Sequence, residues 1–484
     1  MSNQRLKRSA RTAAAFAALL AGLAGCAAPA RVPGPSVPIR GVTGGALNAS
    51  AERLILVTIA NDSALMLSEP GSTPHGYDAI GFYAVSDQAK AIGAALGRDY
   101  GLQQVRDWPI APLGVHCLVF AVPSQADRAA LLRRLAADRR VRLAQPLQVF
   151  DALGRQAATS PEAGAAATPP LSAPQPLLTI PTTFGAGSGS LRVAGYNDPY
   201  IGLQHGFAAI EAGAAQQWSR GEGVRVAIID TGVEVGHPDL VGRISAARNF
   251  IDNDMSSFQT DRHGTGVAGI IGADANNNIG IVGVAPSARL QIYKACQPLQ
   301  PNGLEAQCNS FTLALALDAA IAAHAQIVNL SLGGPADPLL AQLVSYGQRR
   351  GMIFVGAVPD DGRLDGFPLG IPGVIAVDQV GRSDASAAVL HAPGRDILSL
   401  APAGGYDFAT GSSFAAAHVT GAIALLRARV PTLDAAMLFA VLDRTRTHDE
   451  HGDRINICAA LAAVQPRDAC THSARAVATA TFLQ

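Results

Sequence analysis

The chain has 484 residues, of which 49% are hydrophobic and 15% are charged. That length allows roughly three domains, and that composition excludes disorder over most of the chain. Lys+Arg and Asp+Glu both number 37, and no basic run interleaved with aromatic residues occurs, so nucleic-acid binding is set aside.

The chain begins with a basic stretch that is followed by a short apolar one. The apolar stretch ends in "LAGC", residues 23–26. This order is typical of a signal peptide, and the apolar run is too short for a stable spanning anchor. Its end resembles a bacterial lipobox, which implies an exported protein tethered to the cell envelope through a lipid on Cys26. The alternative is an ordinary signal peptide cut near residues 24–30. Ala27 resembles an outer-membrane sorting signal, should the envelope be Gram-negative.

Composition divides the rest of the chain. Residues 27–50 are rich in Pro, Gly and Ala and are predicted to be a tether. Residues 51–150 contain mixed strand and helix patterns and predict a small α+β unit. Residues 151–195 are rich in Ala, Pro, Gly, Ser and Thr, which predicts a linker. Residues 196–465 form the largest unit, and 466–484 are predicted to be a tail.

In the small unit, three apolar runs predict strands and two amphipathic runs predict helices. The strands are "RLILVTIA", "HCLVFAV" and "VRLAQPLQVF", and the helices are "AVSDQAKAIGAALGRDYG" and "SQADRAALLRRLAAD".

The large unit alternates continuous apolar runs with helical patterns. The runs are "VRVAIID", "LQIYKA", "QIVNLSL", "MIFVGAV" and "GVIAVDQV". Continuous apolar runs are typical of strands buried on both faces. The alternation predicts an α/β fold with a doubly wound, mostly parallel sheet and helices on both faces. In such sheets, reactive groups lie beyond the carboxyl ends of the strands.

Three polar residues stand at such positions. Asp230 ends "VRVAIID", His263 lies in "DRHGTGVAGII", and Ser413 lies in "TGSSFAAAHVTG". Each alone also fits a structural role, as a turn former or a helix cap. Their order, Asp then His then Ser, is one of the chain orders of serine hydrolase triads. A Ser hydroxyl needs an imidazole to take its proton, and the imidazole needs a carboxylate to orient it.

The strings around these residues resemble the three signature segments of the subtilases, the subtilisin-like serine proteases. The resemblance covers about residues 196–465. It implies an endopeptidase that acts on peptide or protein substrates through an acyl-enzyme, with Asp230 orienting, His263 as general base and Ser413 as nucleophile. "VNLSLGGP" resembles the strand that binds the substrate backbone, which implies that Ser331, Leu332, Gly333 and Gly334 bind substrate.

By position and pattern, residues 51–150 resemble a subtilase propeptide. This resemblance implies a segment that assists folding and then inhibits the active site until it is cut, as in a zymogen. The alternative is an unrelated accessory domain.

The sequence departs from the family at Gly266, Ala417 and Asp360. The first two replace residues outside the triad. Asp360 stands where the family usually has an Asn that donates to the oxyanion, and Asp can donate only when it is protonated. Asp360 is therefore the oxyanion candidate by position, and it also favours an alternative: a weak or inactive subtilase-like scaffold that binds peptides.

The resemblance implies that the chemistry needs no cofactor, and it also suggests a structural calcium site. Asp239 in "HPDL" and Asn277 in "NNNIG" align with a site that many subtilases use to hold this loop. Simple turn chemistry is the alternative. His237 and His418 are interpreted as structural.

Cysteine usage fits export. Cys296 with Cys308 and Cys458 with Cys470 are two short-range pairs that are candidates for disulfides, and Cys117 is predicted to be a buried thiol.

Overall fold

The computed structural model describes residues 43–62, 84–156, 195–252, 254–382, 388–450 and 452–465. The predicted signal peptide with Cys26, most of the tether, most of the linker and the tail with Cys470 lie outside the described residues. Among the helices of the described part of the chain, none is long and apolar enough to cross a bilayer.

The small N-terminal unit contains a four-stranded antiparallel sheet in the order β2-β3-β1-β4. Its elements are α1 (Gly44–Ala49), β1 (Leu54–Ala60), α2 (Asp87–Tyr100), β2 (Gln103–Ile110), β3 (Val115–Ala121), α3 (Arg128–Ala136) and β4 (Val141–Pro146). Successive side chains of a strand point to opposite faces. Ile55 and Val57 therefore pack with the helices, whereas Leu54 and Leu56 join a core shared with the large unit. The three predicted strands and two predicted helices are present, and β2 is an additional strand. The end of the predicted tether needs a correction, because residues 44–49 form the helix α1, which bonds to the large unit through Gly44 and Asn48.

The large unit is built around a seven-stranded sheet in the order β16-β15-β14-β12-β7-β9-β8, in which every pair is parallel. Its first half contains α4 (His205–Ala209), α5 (Ala212–Ala215), β7 (Arg225–Asp230), β8 (Ile244–Asn249), α6 (Met255–Gln259), α7 (Arg262–Gly272), β9 (Arg289–Lys294), β10 (Cys296–Pro298), β11 (Ala306–Asn309) and α8 (Ser310–Ala322). Its second half contains β12 (Ile327–Leu330), β13 (Leu332–Gly333), α9 (Pro338–Arg349), β14 (Ile353–Ala357), β15 (Ile375–Gln379), β16 (Val389–Ala392), β17 (Ile397–Ala401), β18 (Gly405–Thr410), α10 (Ser412–Arg429), α11 (Ala435–Arg444), β19 (Thr447–Asp449), β20 (Gly452–Arg454) and α12 (Ile457–Val464).

Both faces of the parallel sheet are covered by helices. On β7, Ile228 packs into the core that contains α7 and α10, and the next residue, Ile229, packs into the core that contains α8. A strand buried on both faces must be apolar at every position, and all but the first residue of β7 are buried. The predicted fold class, an α/β doubly wound sheet preceded by a small α+β unit, is confirmed.

The start of the predicted linker needs a correction. Residues 151–156 continue the chain of the small unit into two short strands, β5 (Val149–Ala152) and β6 (Arg155–Gln156). β5 lies between β11 and β13, and β6 pairs with β18. The segment "DALGRQ" has no strong strand pattern of its own, so its conformation comes from pairing with strands of the large unit.

Candidate active site

Asp230 and His263 form a buried pair at the carboxyl end of β7 and the start of α7. His263 Nδ1 lies 2.7 Å from Asp230 Oδ1, and both side chains are almost fully shielded from solvent. An ionised carboxylate can only accept, so Nδ1 carries the proton and Nε2 is left as an acceptor. The N–H of Thr231 also donates to Asp230 Oδ1, at 2.6 Å, which fixes the carboxylate.

Ser413 completes this line of hydrogen bonds. Its Oγ lies 3.1 Å from His263 Nε2. The residue preceding α10 is Gly411, no side chain caps this helix, and Ser413 is the second residue of the helix. Its hydroxyl therefore does not act as a helix cap; it faces the imidazole. The structure thus brings together the three side chains that the sequence pattern singled out, in the geometry that a general base and a nucleophile require.

The cleft beside Ser413 contains the chain's own residues 149–154. The backbone N–H of Ser413 donates to the carbonyl oxygen of Leu153 at 3.3 Å, and the N–H of Leu153 donates to the carbonyl of Ser331 at 3.0 Å. A Cβ built on Gly154 would lie 2.6 Å from His263 Cδ2 and 3.4 Å from Ser413 Oγ. The peptide bond between Leu153 and Gly154 therefore lies directly against the imidazole and the hydroxyl.

The four residues predicted to bind substrate hold this segment. Leu332 pairs with Ala152 and Gly333 with Asp151, both in antiparallel register. A Cβ built on Gly334 would lie 2.5 Å from the ring of Phe150, so only glycine leaves room for that ring. Backbone pairing fixes the path of the bound segment and leaves its alternate side chains to occupy pockets. The sequence pattern places residues 149–150 in the small unit and 151–154 in the linker, and nothing in their composition indicates that they occupy the cleft.

A cavity of about 860 Å³ adjoins the bound segment. Its walls include Leu153, Gly154, Pro359, Asp360 and Gln379. Pro359 and the Leu153 side chain both lie next to Gly333. The cavity therefore adjoins the side chain of Leu153, the residue on the amino-terminal side of the peptide bond at Ser413.

The structure revises the prediction for Asp360. Its carboxylate accepts from Arg382 Nη1 at 3.2 Å, and Arg382 Nη2 donates to the Asp360 carbonyl at 2.6 Å. Arg382 Nε also lies 3.5 Å from a carboxylate oxygen of Asp378, whose pKa is raised by burial. Because the Asp360 carboxylate accepts from a guanidinium, we interpret its role as holding Arg382 rather than as donating to an oxyanion. The sequence pattern did not point to Arg382, which lies 22 residues further along the chain.

The two candidate calcium ligands lie close to each other and are joined by a hydrogen bond. Asn277 Nδ2 donates to Asp239 Oδ1 at 2.9 Å, and Tyr406 Oη and the N–H of Ile281 both donate to Oδ2 at 3.0 Å. Burial raises the pKa of Asp239. Calcium takes carboxylate and amide oxygens, and the Asp239 carboxylate here accepts three hydrogen bonds, so the contacts of this loop are those of turn chemistry, and the calcium site stays a prediction. Among the described residues, no group of three or more His, Cys, Asp or Glu side chains is placed to hold a metal ion.

The two histidines interpreted as structural lie outside the triad. His418 Nδ1 lies 2.9 Å from the Phe414 carbonyl, and burial lowers the pKa of His418 to about 4, so it stays neutral. His237 Nε2 lies 3.0 Å from the Gly405 carbonyl, and its Nδ1 accepts from the N–H of Asp239.

A disulfide joins Cys296 and Cys308 across the β10–β11 hairpin, as the spacing suggested. Because β11 is the neighbour of β5, this cross-link braces one wall of the cleft. Cys458 is also disulfide-bonded, and its predicted partner Cys470 lies outside the described residues. Cys117 is a buried free thiol, as predicted, and burial raises its pKa.

Comparisons with known proteins agree with this geometry. The Peptidase_S8 profile, which describes the subtilase family, matches residues 221–457. A thermophilic serine proteinase of Bacillus sp. (strain AK1) is 36% identical over 245 residues, which span 48% of this chain but only 59% of that protein. Thermitase of Thermoactinomyces vulgaris is 33% identical over 241 residues, which span 48% of this chain and 84% of thermitase.

The fold has a solved counterpart as well. The crystal structure of fervidolysin from Fervidobacterium pennivorans, described as a keratinolytic enzyme related to subtilisin, matches 89% of this chain and 64% of its own, with a TM-score of 0.60. At 20% identity this likeness concerns the fold alone. The sequence matches carry the assignment: this chain belongs to the subtilases, the family of subtilisin-like serine endopeptidases.

Proposed function

We propose that the protein is an exported serine endopeptidase that cleaves peptide bonds through Asp230, His263 and Ser413, and that its first substrate is its own Leu153–Gly154 bond. One observation carries this proposal. The Leu153 carbonyl accepts from the Ser413 N–H, while Ser413 Oγ faces His263 Nε2, so a peptide bond already occupies the position of a substrate.

The chemistry follows from this placement. His263 Nε2 takes the hydroxyl proton as Ser413 Oγ attacks the Leu153 carbonyl carbon, and the Ser413 N–H stabilises the oxyanion. Asp230 stabilises the imidazolium that forms. The imidazolium returns its proton to the Gly154 nitrogen as the C–N bond breaks. Water, activated by His263, then hydrolyses the ester between Leu153 and Ser413. No step needs a cofactor.

The small unit acts as an inhibitor in this proposal. The small unit also contacts the large unit outside the cleft. Gln145 Nε2 donates to Asp337 at 2.8 Å, and Trp108 Nε1 donates to Asp318 at 3.1 Å. Burial raises the pKa of Asp318 to about 6. Cutting one peptide bond leaves these contacts in place, so the severed segment still blocks the cleft until it dissociates or is degraded.

Labelling with a fluorophosphonate probe tests the proposed nucleophile. Processed wild-type protein should be labelled at Ser413 and should hydrolyse peptides, and Ser413→Ala should do neither. Ser412→Ala is the matched control, because the Ser412 hydroxyl donates to the Val358 carbonyl at 2.6 Å and does not face His263. Absence of both labelling and hydrolysis in the processed wild type would favour the alternative, a peptide-binding scaffold.

We also propose that a lipid on Cys26 anchors the enzyme in the cell envelope, with the outer membrane as the site in a Gram-negative cell. The support is the signal-like N-terminal sequence. Cys26→Ser should release the protein from the membrane fraction or block removal of the signal, whereas Ala28→Ser should do neither. Membrane association and processing unchanged in Cys26→Ser would rule out the lipid anchor.

A further inference from the structure

We infer that Gln379 supplies the side-chain donor of the oxyanion hole, in the role that Asp360 cannot fill. The inference rests on the proposed function and names a further catalytic residue for the same site. Backbone donation by Ser413 alone would leave the oxyanion with one hydrogen bond, and preorganised donors of this kind are among the largest contributions to acyl transfer.

Few side chains on the cavity wall can donate a hydrogen bond, and Gln379 is one of them. Among the described residues that line the cavity, the side chains with an N–H or O–H group are those of Arg363, Gln379 and Thr410. Arg363 makes two hydrogen bonds to Asp365, at 3.0 and 3.1 Å. The Thr410 hydroxyl lies within hydrogen-bonding distance of the Asp396 carboxylate and N–H, at 3.4 and 2.9 Å.

The Gln379 amide is not engaged in this way. Its side chain makes no hydrogen bond to the described residues, and its Oε1 is buried without a partner there. Buried polar groups are nearly always paired, so an unpaired one needs an explanation, and a catalytic role is one of those that apply. The Gln379 amide therefore has unused hydrogen-bonding capacity on the wall of the cavity that adjoins Leu153 and Gly154.

The fold places Gln379 close to the nucleophile. It is the last residue of β15, at the carboxyl edge of the sheet where reactive groups gather. A Cβ built on Gly394 would lie 2.7 Å from Gln379 Cβ, 2.7 Å from the Gly411 carbonyl oxygen and 3.3 Å from Ala415 Cβ. Gly411 and Ala415 flank Ser413 along the chain, so the long Gln379 side chain starts beside the turn that carries the nucleophile.

The network around Asp360 supports the same assignment. The N–H of Gln379 donates to Asp378 Oδ1 at 2.7 Å, and the other carboxylate oxygen of Asp378 lies against Arg382. Arg382 thus links the backbone of Gln379, through Asp378, to Asp360, which also lines the cavity. The Arg382 guanidinium, which pairs with the Asp360 carboxylate, also contacts Asp378 and so helps to fix the end of β15, where Gln379 lies. An amide is neutral, so it donates at any ordinary pH, which an Asp cannot do.

Kinetics on processed enzyme test the inference. Gln379→Leu keeps the size of the side chain but removes the donor, so kcat should fall by about 10²–10³ while KM changes little. Affinity for a peptide aldehyde, which becomes a tetrahedral adduct, should fall by a similar factor. The kcat of Gln379→Glu, taken relative to wild type at the same pH, should be lowest at neutral pH and should rise as the pH falls, because a protonated Glu can donate. Gln217→Leu, a change of an exposed glutamine, is the matched control and should be neutral.

The outcomes are separable. If wild type is active and Gln379→Leu keeps its kcat and its aldehyde affinity, Gln379 is not the donor, and the proposed protease function still stands. A loss expressed in KM or in melting temperature, with kcat preserved, would show a structural role and would also overturn the inference. If processed wild type neither hydrolyses peptides nor labels at Ser413, the proposed function fails, and this inference fails with it.

Discussion

Full-length protein carrying Ser413→Ala should remain uncut apart from its signal, whereas wild type should separate into a fragment that ends at Leu153 and an enzyme that begins at Gly154. The reason is geometric: the bond between these residues is the peptide bond that lies against Ser413 and His263. Loss of the nucleophile costs on the order of 10⁶ in kcat in subtilisin, so cleavage should be absent on any practical timescale. Intact-mass measurement and N-terminal sequencing check both species.

Substitutions at the bond sharpen this expectation. Gly154→Val should block cleavage there, because a Cβ at that position would lie 2.8 Å from His263 Nε2. Gly164→Val, within the predicted linker, is the matched control and should be cut like wild type. A mature N-terminus between residues 157 and 194 in wild type, unchanged by Gly154→Val, would show that the bond in the cleft is not the processing site.

Apolar periodicity and short motifs in the sequence predicted the sheet, the triad candidates and one disulfide. β7 is apolar because both faces of the sheet are covered, and Asp230 follows at its end, so the fold and the triad candidates could be predicted together. The short spacing of Cys296 and Cys308 predicted the disulfide that joins them.

Features that depend on tertiary contacts could not be predicted in this way. Residues 151–156 become strands because β13 and β18 offer them edges, and their composition alone indicates a linker. β2 was missed because polar residues such as Gln103 and Asp107, together with a bulge between Gln104 and Arg106, break the alternating apolar pattern. The pairing of Arg382 with Asp360 joins residues from different loops, and no spacing in the chain signals it.

Asp230→Asn should lower kcat by about 10⁴, or about 5.4 kcal/mol of transition-state stabilisation, while the fold survives. The hydrogen bonds of Asp230 explain why so conservative a change costs so much. Oδ1 accepts from both His263 Nδ1–H and the Thr231 N–H, and Oδ2 is buried without a partner in the described part of the chain. An amide in this place removes the negative charge that stabilises the imidazolium, whichever way it is oriented.

Each orientation of the new amide carries its own defect. With its oxygen at the Oδ1 position, the amide leaves an NH₂ group buried at the Oδ2 position, where no acceptor is available among the described residues. With its NH₂ group at the Oδ1 position, the amide faces two other donors, and His263 must move its proton to Nε2, where it can no longer accept from Ser413. Asp434→Asn is the matched control, because Asp434 caps α11 from the surface and Asn caps a helix equally well. Peptide hydrolysis, fluorophosphonate labelling and thermal melting should be measured on the same samples. A kcat of Asp230→Asn within about tenfold of wild type would mean that Asp230 does not orient or stabilise His263. A lower melting temperature without a loss of kcat would mean that Asp230 contributes to stability alone.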